Sequence, residues 1–95
     1  MEYVGRKIGK PEPDHIAFKC PGCMVLHSVP IAKDAKTRWA FNQNGDSPTI
    51  TPCVTWETHT TYCHCVVSDG EITFFHDSHH HLSGQTVDLP DIGEG

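Results

Sequence analysis

Short alternating runs pattern this chain, not long periodic ones. Six segments rich in Val, Ile, Thr, Phe and Trp stand out, at residues 15–19, 24–31, 37–42, 50–60, 62–68 and 71–76. Gly, Pro, Asn or Asp separate them, which is the punctuation of strands and turns. Apolar residues nowhere recur with a sustained 3.6-residue period, although residues 30–38 have room for one helical turn. The pattern predicts a mostly β fold: a small antiparallel β domain with little helix. Residues 1–14 are polar and contain Pro11 and Pro13, so they are expected to form a flexible N-terminal arm. Residues 15–90 are expected to be the single folded domain, and residues 91–95 an acidic tail.

The dipeptide Asp69-Gly70 sits between two β-rich runs, and both residue types tolerate positive φ, so a two-residue hairpin turn is expected there. That turn pairs Ser68 with Glu71, Val67 with Ile72 and Cys65 with Phe74, and, if the strands continue, Cys63 with His76. Side chains alternate along a strand. One face then carries Val67, Ile72, Cys65, Phe74, Cys63 and His76. The opposite face carries Val66, Thr73, His64, Phe75 and Tyr62. The first face reads as core near the turn and as a cluster of metal ligands at its open end.

Candidate ligands occur in three places. Cys20-Pro-Gly-Cys23 is a C-x₂-C pair on a tight turn, which aims two thiolates at a point about 2.3 Å from each sulfur. Such a pair is half of a Zn2+ site, and Cys63-His64-Cys65 can supply the rest. On a regular strand Cys63 and Cys65 share a face and His64 points away, so geometry favours the two thiols as a chelate with Cys20 and Cys23; a bulge would let Cys63 and His64 converge. Cys65 can equally be a small core residue. The third group is His76, Asp77, His79, His80 and His81, which the hairpin brings toward Cys63 and which also fits an exposed polar loop. His15, His27 and His59 read as ordinary surface or core histidines. A thioredoxin-like role for Cys20 and Cys23 is disfavoured, because no βαβ pattern surrounds them.

Ninety-five residues make one domain, which buries only about 60–65% of its unfolded surface. In so thin a core one ion can decide whether the chain folds. Five cysteines, an odd number, exclude a complete disulfide framework. No secretory h-region and no apolar run of about 18 residues is present, so a cytoplasmic, reducing location is expected. The net charge is −5, unevenly spread: residues 1–38 hold all seven Lys and Arg with four Asp and Glu, and residues 39–95 hold eight acidic residues and no Lys or Arg. That balance argues against nucleic acid as a partner, including a single-strand binder built on Trp39 and Trp56. The motifs G-x-S-x-G, H-E-x-x-H, G-x-G-x-x-G and the P-loop are absent. Cys53 has no base beside it in sequence, so a nucleophilic role for it is not favoured.

Taken together, F-K-C-P-G-C…H (residues 18–27), W-x-F-N (39–42), P-T-I-T-P (48–52), C-H-x-x-V-x-D-G-x-I-x-F (63–74) and D-S-H-H-H-L-S-G-Q-T-V-D-L-P (77–90) carry a resemblance. The chain resembles a family of small phage and prophage proteins, often labelled "putative ammonia monooxygenase", with related domains beside bacterial ubiquitin-like conjugation genes. The resemblance implies a zinc-binding β-rich domain and a phage accessory or host-interaction role. The monooxygenase label is not carried over, since that chemistry is membrane-associated and no oxidase site is visible here. Carried by position, the ligands are Cys20, Cys23, Cys63 and His64, and His80 also matches a family histidine; Cys65 matches no family cysteine. Two positions depart from the family, which usually has Ser at the place of Cys53 and Cys at the place of Ser78. The two changes are linked if those residues face one another.

The expectation is therefore a zinc-ribbon-like β domain stapled by one Zn2+ through Cys20, Cys23, Cys63 and His64. Cys65, His76, Asp77 and His80 stand in reserve as ligands or cleft residues. The leading functional expectation is a non-enzymatic interaction module from a phage or prophage, acting on a host protein such as a defence protein, with no membrane partner and homo-oligomerisation left open. The alternative is a small metal-dependent hydrolase with an open zinc position at His64, Asp77 and His80. Four protein ligands would mean a structural site, and three plus water a catalytic one.

Overall fold

Alternation governs the fold from its central hairpin outward. The computed structural model describes residues 1–92. β7 (Tyr62–Ser68) and β8 (Glu71–Phe74) pair in the register that the Asp69-Gly70 turn dictates, with Ser68 opposite Glu71, Val67 opposite Ile72 and Cys65 opposite Phe74. Both turn residues have positive φ, 52° for Asp69 and 80° for Gly70, which matches the right-handed twist of the flanking strands. Along β7, Cys63, Cys65 and Val67 are buried, and Tyr62, His64 and Val66 are only partly so.

β6 (Ile50–Glu57) pairs with the other side of β7, and β5 (Ala40–Phe41) and β9 (Thr86–Asp88) extend this sheet to the order β5-β6-β7-β8-β9. A second sheet has the order β1-β2-β3-β4, from β1 (Glu2–Val4), β2 (Ile8–Lys10), β3 (His15–Cys20) and β4 (Val25–Pro30). Every pairing is antiparallel. The described residues are all β, without a helix, and so contain none long and apolar enough to cross a membrane.

One core joins the sheets. Ile8, Ile16, Phe18, Cys20 and Val29 from the first meet Ile50, Val54, Cys63, Cys65, Val67, Ile72 and Phe74 from the second, with Leu89 closing one end. Phe18 is fully buried among them. Phe18→Ala is expected to destabilise the fold by about 3–5 kcal/mol, the usual cost of emptying so large a site, read as a shift in the urea midpoint.

Three segments differ from the sequence expectation. Residues 1–14 carry β1 and β2, whose hairpin is closed around Gly5 (φ 67°) and anchored by the fully buried Ile8. Lys7 N–H donates to the Gly45 carbonyl at 2.8 Å, and a Cβ on Gly45 would collide with the Val4 carbonyl, so glycine is required at that crossing. One apolar anchor in a polar stretch is a faint signal. β9 is equally short and was not anticipated. β8 stops at Phe74, so the β7–β8 ladder ends at Cys65 and does not pair His76 with Cys63; the His76 ring packs over Gly84 instead. Of the expected tail, residues 93–95 lie outside the described residues.

Candidate metal centre and thiol–histidine–carboxylate group

Three thiols and one imidazole converge where the two sheets meet. Cys20 ends β3, and the Pro21-Gly22 turn returns Cys23 beside it, held by Met24 N–H to the Cys20 carbonyl (2.8 Å) and Cys23 N–H to Cys20 Sγ (3.3 Å). His27 lies on β4 opposite Phe18, and Cys63 comes from β7 in the other sheet. The ligand atoms of Cys20, Cys23, His27 and Cys63 all lie within 4.8 Å of one another. Cys20 Sγ and Cys63 Sγ are 3.9 Å apart, close to the roughly 3.8 Å between two sulfurs on one tetrahedral zinc.

The donor set fits a metal ion on its own chemistry. His27 is fully buried, and neither ring nitrogen has a hydrogen-bond partner. An imidazole orphaned in this way is costly unless an ion takes one nitrogen. The thiols crowd one another. The Cys63 contact, then burial, pushes the Cys20 thiol up to about 12. Burial, then Cys20, pushes the Cys23 thiol up to about 11. The Cys63 thiol is pulled down by Cys20, but Cys65, burial and Cys23 outweigh that and raise it. A cation among them reverses this penalty by stabilising the thiolates. The four residues can therefore hold a metal ion.

His80 sits just outside this set. Its Nδ1 accepts the Leu82 N–H at 3.2 Å, which leaves Nε2–H to face Cys63 Sγ at 3.6 Å. Burial, helped by His81, lowers its pKa and so favours the neutral ring. A Cβ on Gly22 would strike that ring. Cys65 is buried in the core between Val54 and Phe74. His76 and His79 lie elsewhere, His79 beside Tyr62 at 5.8 Å between ring centroids.

His64, placed with the ligands in the sequence reading, faces away from the four-residue cluster. Its Nε2 lies 3.2 Å from Cys53 Sγ, and its Nδ1 lies 3.2 Å from both carboxylate oxygens of Asp77. A carboxylate only accepts, so Nδ1 donates to Asp77, and Nε2 is left as the acceptor facing the thiol. The β6–β7 pairing explains the contact. Thr55 stands opposite His64, and Cys53, two residues earlier and within the register shift between Ile50 and Val54, reaches the imidazole diagonally. Phe75 packs on the ring at 4.2 Å between centroids. Ser78 Oγ accepts from His64 N–H (2.9 Å) and donates to its carbonyl (3.0 Å), and Phe75 N–H donates to the same carbonyl (2.9 Å). Cys53 and Ser78 do not face one another; they hold opposite ends of one histidine.

Sequence reasoning passed over two residues here. His27 had a signal, since it follows Cys23 by four residues and shares the inward face of β4 with Val29. Cys53 had a weaker one, because only the β6–β7 register reveals its base.

Fold and site together define an all-β domain with a Cys/His cluster that can hold a metal and, separately, an exposed thiol backed by histidine and aspartate. Residues 3–75 match the family described as BubE, bacterial ubiquitination-like system serine protease, and the chain belongs to that family. No curated protein and no solved structure matches the chain.

Proposed function

We propose that this chain is a thiol hydrolase of a bacterial ubiquitination-like system, with Cys53 as nucleophile, His64 as general base and Asp77 as the group that orients it. The observation that carries this reading is the His64 imidazole, which touches the Cys53 sulfur through one nitrogen and the Asp77 carboxylate through the other. The family description names a serine protease, and the relatives that the sequence resembles have serine at the place of Cys53. The same base and orienting carboxylate serve a hydroxyl or a thiol. Ser78 is a poor candidate for the nucleophile, being buried with its hydroxyl committed to the His64 backbone.

The chemistry is acyl transfer. His64 Nε2 takes the thiol proton as Cys53 Sγ attacks the carbonyl carbon of an amide or ester. The resulting imidazolium, steadied by Asp77, gives that proton to the leaving amine or alcohol, and a thioester remains on Cys53. Water then attacks the thioester, its proton passing through His64 back to the departing thiol, and the acid is released.

In this reading the metal is Zn2+ on Cys20, Cys23, His27 and Cys63, a closed set of four protein ligands that supplies cross-linking and no reaction step. The separation of His80 from His64 and Asp77 across β7 supports a thiol mechanism over an open zinc position. No observation favours the phage host-interaction module.

The test is the rate at which iodoacetamide alkylates Cys53 near neutral pH, followed by peptide mass mapping. His64→Ala is expected to slow it by about tenfold or more, because the thiolate loses its base. Equal rates in the two proteins would overturn the assignment.

A further inference from the structure

The outer edge of β6 is open beside the nucleophile. β5 pairs only with Ile50 and Thr51, so among the described residues no strand covers β6 from Cys53 to Glu57. Backbone alternation identifies the free groups. His64 spends its N–H and carbonyl on Ser78 and Phe75, on the β8 side, so it makes no ladder bond with Thr55. Thr58 N–H bonds the Thr61 carbonyl, which sets the same alternation from the turn end. Val54 and Trp56 therefore turn their peptide groups toward β7, while Thr55 and Glu57 turn theirs outward. Proteins normally blunt such an edge with lysine, proline or a covering loop; residues 53–57 carry none of these side chains.

A cleft of about 560 Å³ continues this edge past Cys53, lined among others by Ile31, Lys33, Arg38, Trp39, Phe41 and Thr51. Trp39 Nε1–H donates to the Cys53 carbonyl at 3.2 Å and ties the cleft to the nucleophile. Lys33 and Arg38 give its mouth positive charge, in a chain with no Lys or Arg after residue 38. Glu57, at the far end of the open edge, has the opposite sign.

We propose that the substrate is an extended peptide that adds to β6 as an antiparallel strand. Running opposite to β6, it passes Glu57 and Thr55 first, presents its scissile carbonyl at Cys53, and carries acidic residues beyond that bond into the Lys33/Arg38 cleft. Hydrogen bonds from Thr55 and Glu57 give register, and the cleft gives charge selection. This assignment rests on Cys53 as the nucleophile.

The test is an NMR titration of ¹⁵N-labelled Cys53→Ala, which cannot turn over, with acetyl-Thr-Val-Thr-Ala-Glu-Glu-amide and with the same peptide ending Lys-Lys. The glutamate peptide is expected to shift the Thr55 and Glu57 amides and the Trp39 indole. Its Kd is expected to be about tenfold lower than that of the lysine peptide, the scale of one charged hydrogen bond. The double variant Lys33→Glu/Arg38→Glu is expected to reverse the preference. Absence of shifts at Thr55 and Glu57 at millimolar peptide, or equal affinity for the two peptides, would overturn the proposal. Loss of the edge site with His64-dependent alkylation intact refutes only the substrate assignment; His64-independent alkylation refutes the nucleophile.

Discussion

Cys53→Ala is expected to abolish acyl transfer while leaving the fold unchanged. With p-nitrophenyl acetate as a small activated ester, the native protein should release a burst of nitrophenol and carry one acetyl group on Cys53 by intact mass. The alanine variant should show neither, and its turnover should fall by on the order of 10⁴-fold, the scale on which triad nucleophiles act. The side chain is exposed and outside the core, so a change in melting temperature is not expected. Cys53→Ser sharpens the experiment. Serine is the usual residue at this place in the relatives that the sequence resembles, and His64 stands ready to accept its proton. That variant should retain slower hydrolysis above the alanine background. An acetyl group found on another residue, or a burst undiminished in Cys53→Ala, would sink the assignment.

The second large effect is loss of the metal. Structural zinc sites bind with about 10–16 kcal/mol, against a total stability of about 5–15 kcal/mol for a typical domain. Cys20→Ser, or a strong chelator on the native chain, should therefore remove cooperative thermal unfolding, followed by circular dichroism, and release one equivalent of zinc by elemental analysis. His27→Ala should weaken the ion and the fold together. His80→Ala should leave the ion bound, with affinity reduced by about 10–100-fold, since its contact is with the Cys63 sulfur. An unchanged melt after chelation would mean that the thin core holds the sheets together unaided.

The order of these two variants in an experiment matters. The metal ligands join β3 and β4 of one sheet to β7 of the other, and His64 is the residue next to Cys63. Loss of activity in Cys20→Ser would follow from unfolding and says nothing about catalysis. Cys53→Ala separates the two, because Cys53 is exposed, outside the core and not among the four residues of the metal cluster.

Local features were legible in the sequence, and long-range ones were not. The Asp69-Gly70 turn, the β7–β8 register and the Cys20/Cys23 turn depend on residues a few positions apart, whose conformational preferences act locally. The assignment of His64 depended on which face of β7 meets the other sheet. Alternation already set it opposite to Cys63 and Cys65, and for His64 that bare geometry agrees with the structure where the ligand set transferred by resemblance does not. The same geometry also favoured Cys65 as a ligand, and there the structure puts a core residue and gives the fourth place to His27. His27 was hidden because its partners are completed by Cys63, from a different sheet. Cys53 was hidden because a register shift between Ile50 and Val54 sets its place along β7. Single-anchor strands such as β2 leave almost no pattern, since one buried Ile8 among polar neighbours resembles chance.

In the proposed mechanism, adjacent residues of β7 serve incompatible chemistries. A soft cation prefers sulfur, and a reactive thiolate within reach of it would be captured and silenced. Here the pleat insulates them: Cys63 projects inward to the Cys/His cluster, His64 outward to Cys53, and the thickness of one strand lies between. The partition also divides vulnerability. An oxidant arriving from solvent meets the exposed Cys53 before the buried Cys20, Cys63 and Cys65, so under the proposed mechanism oxidation to the reversible sulfenic level is expected to stop acyl transfer while leaving the metal cluster intact.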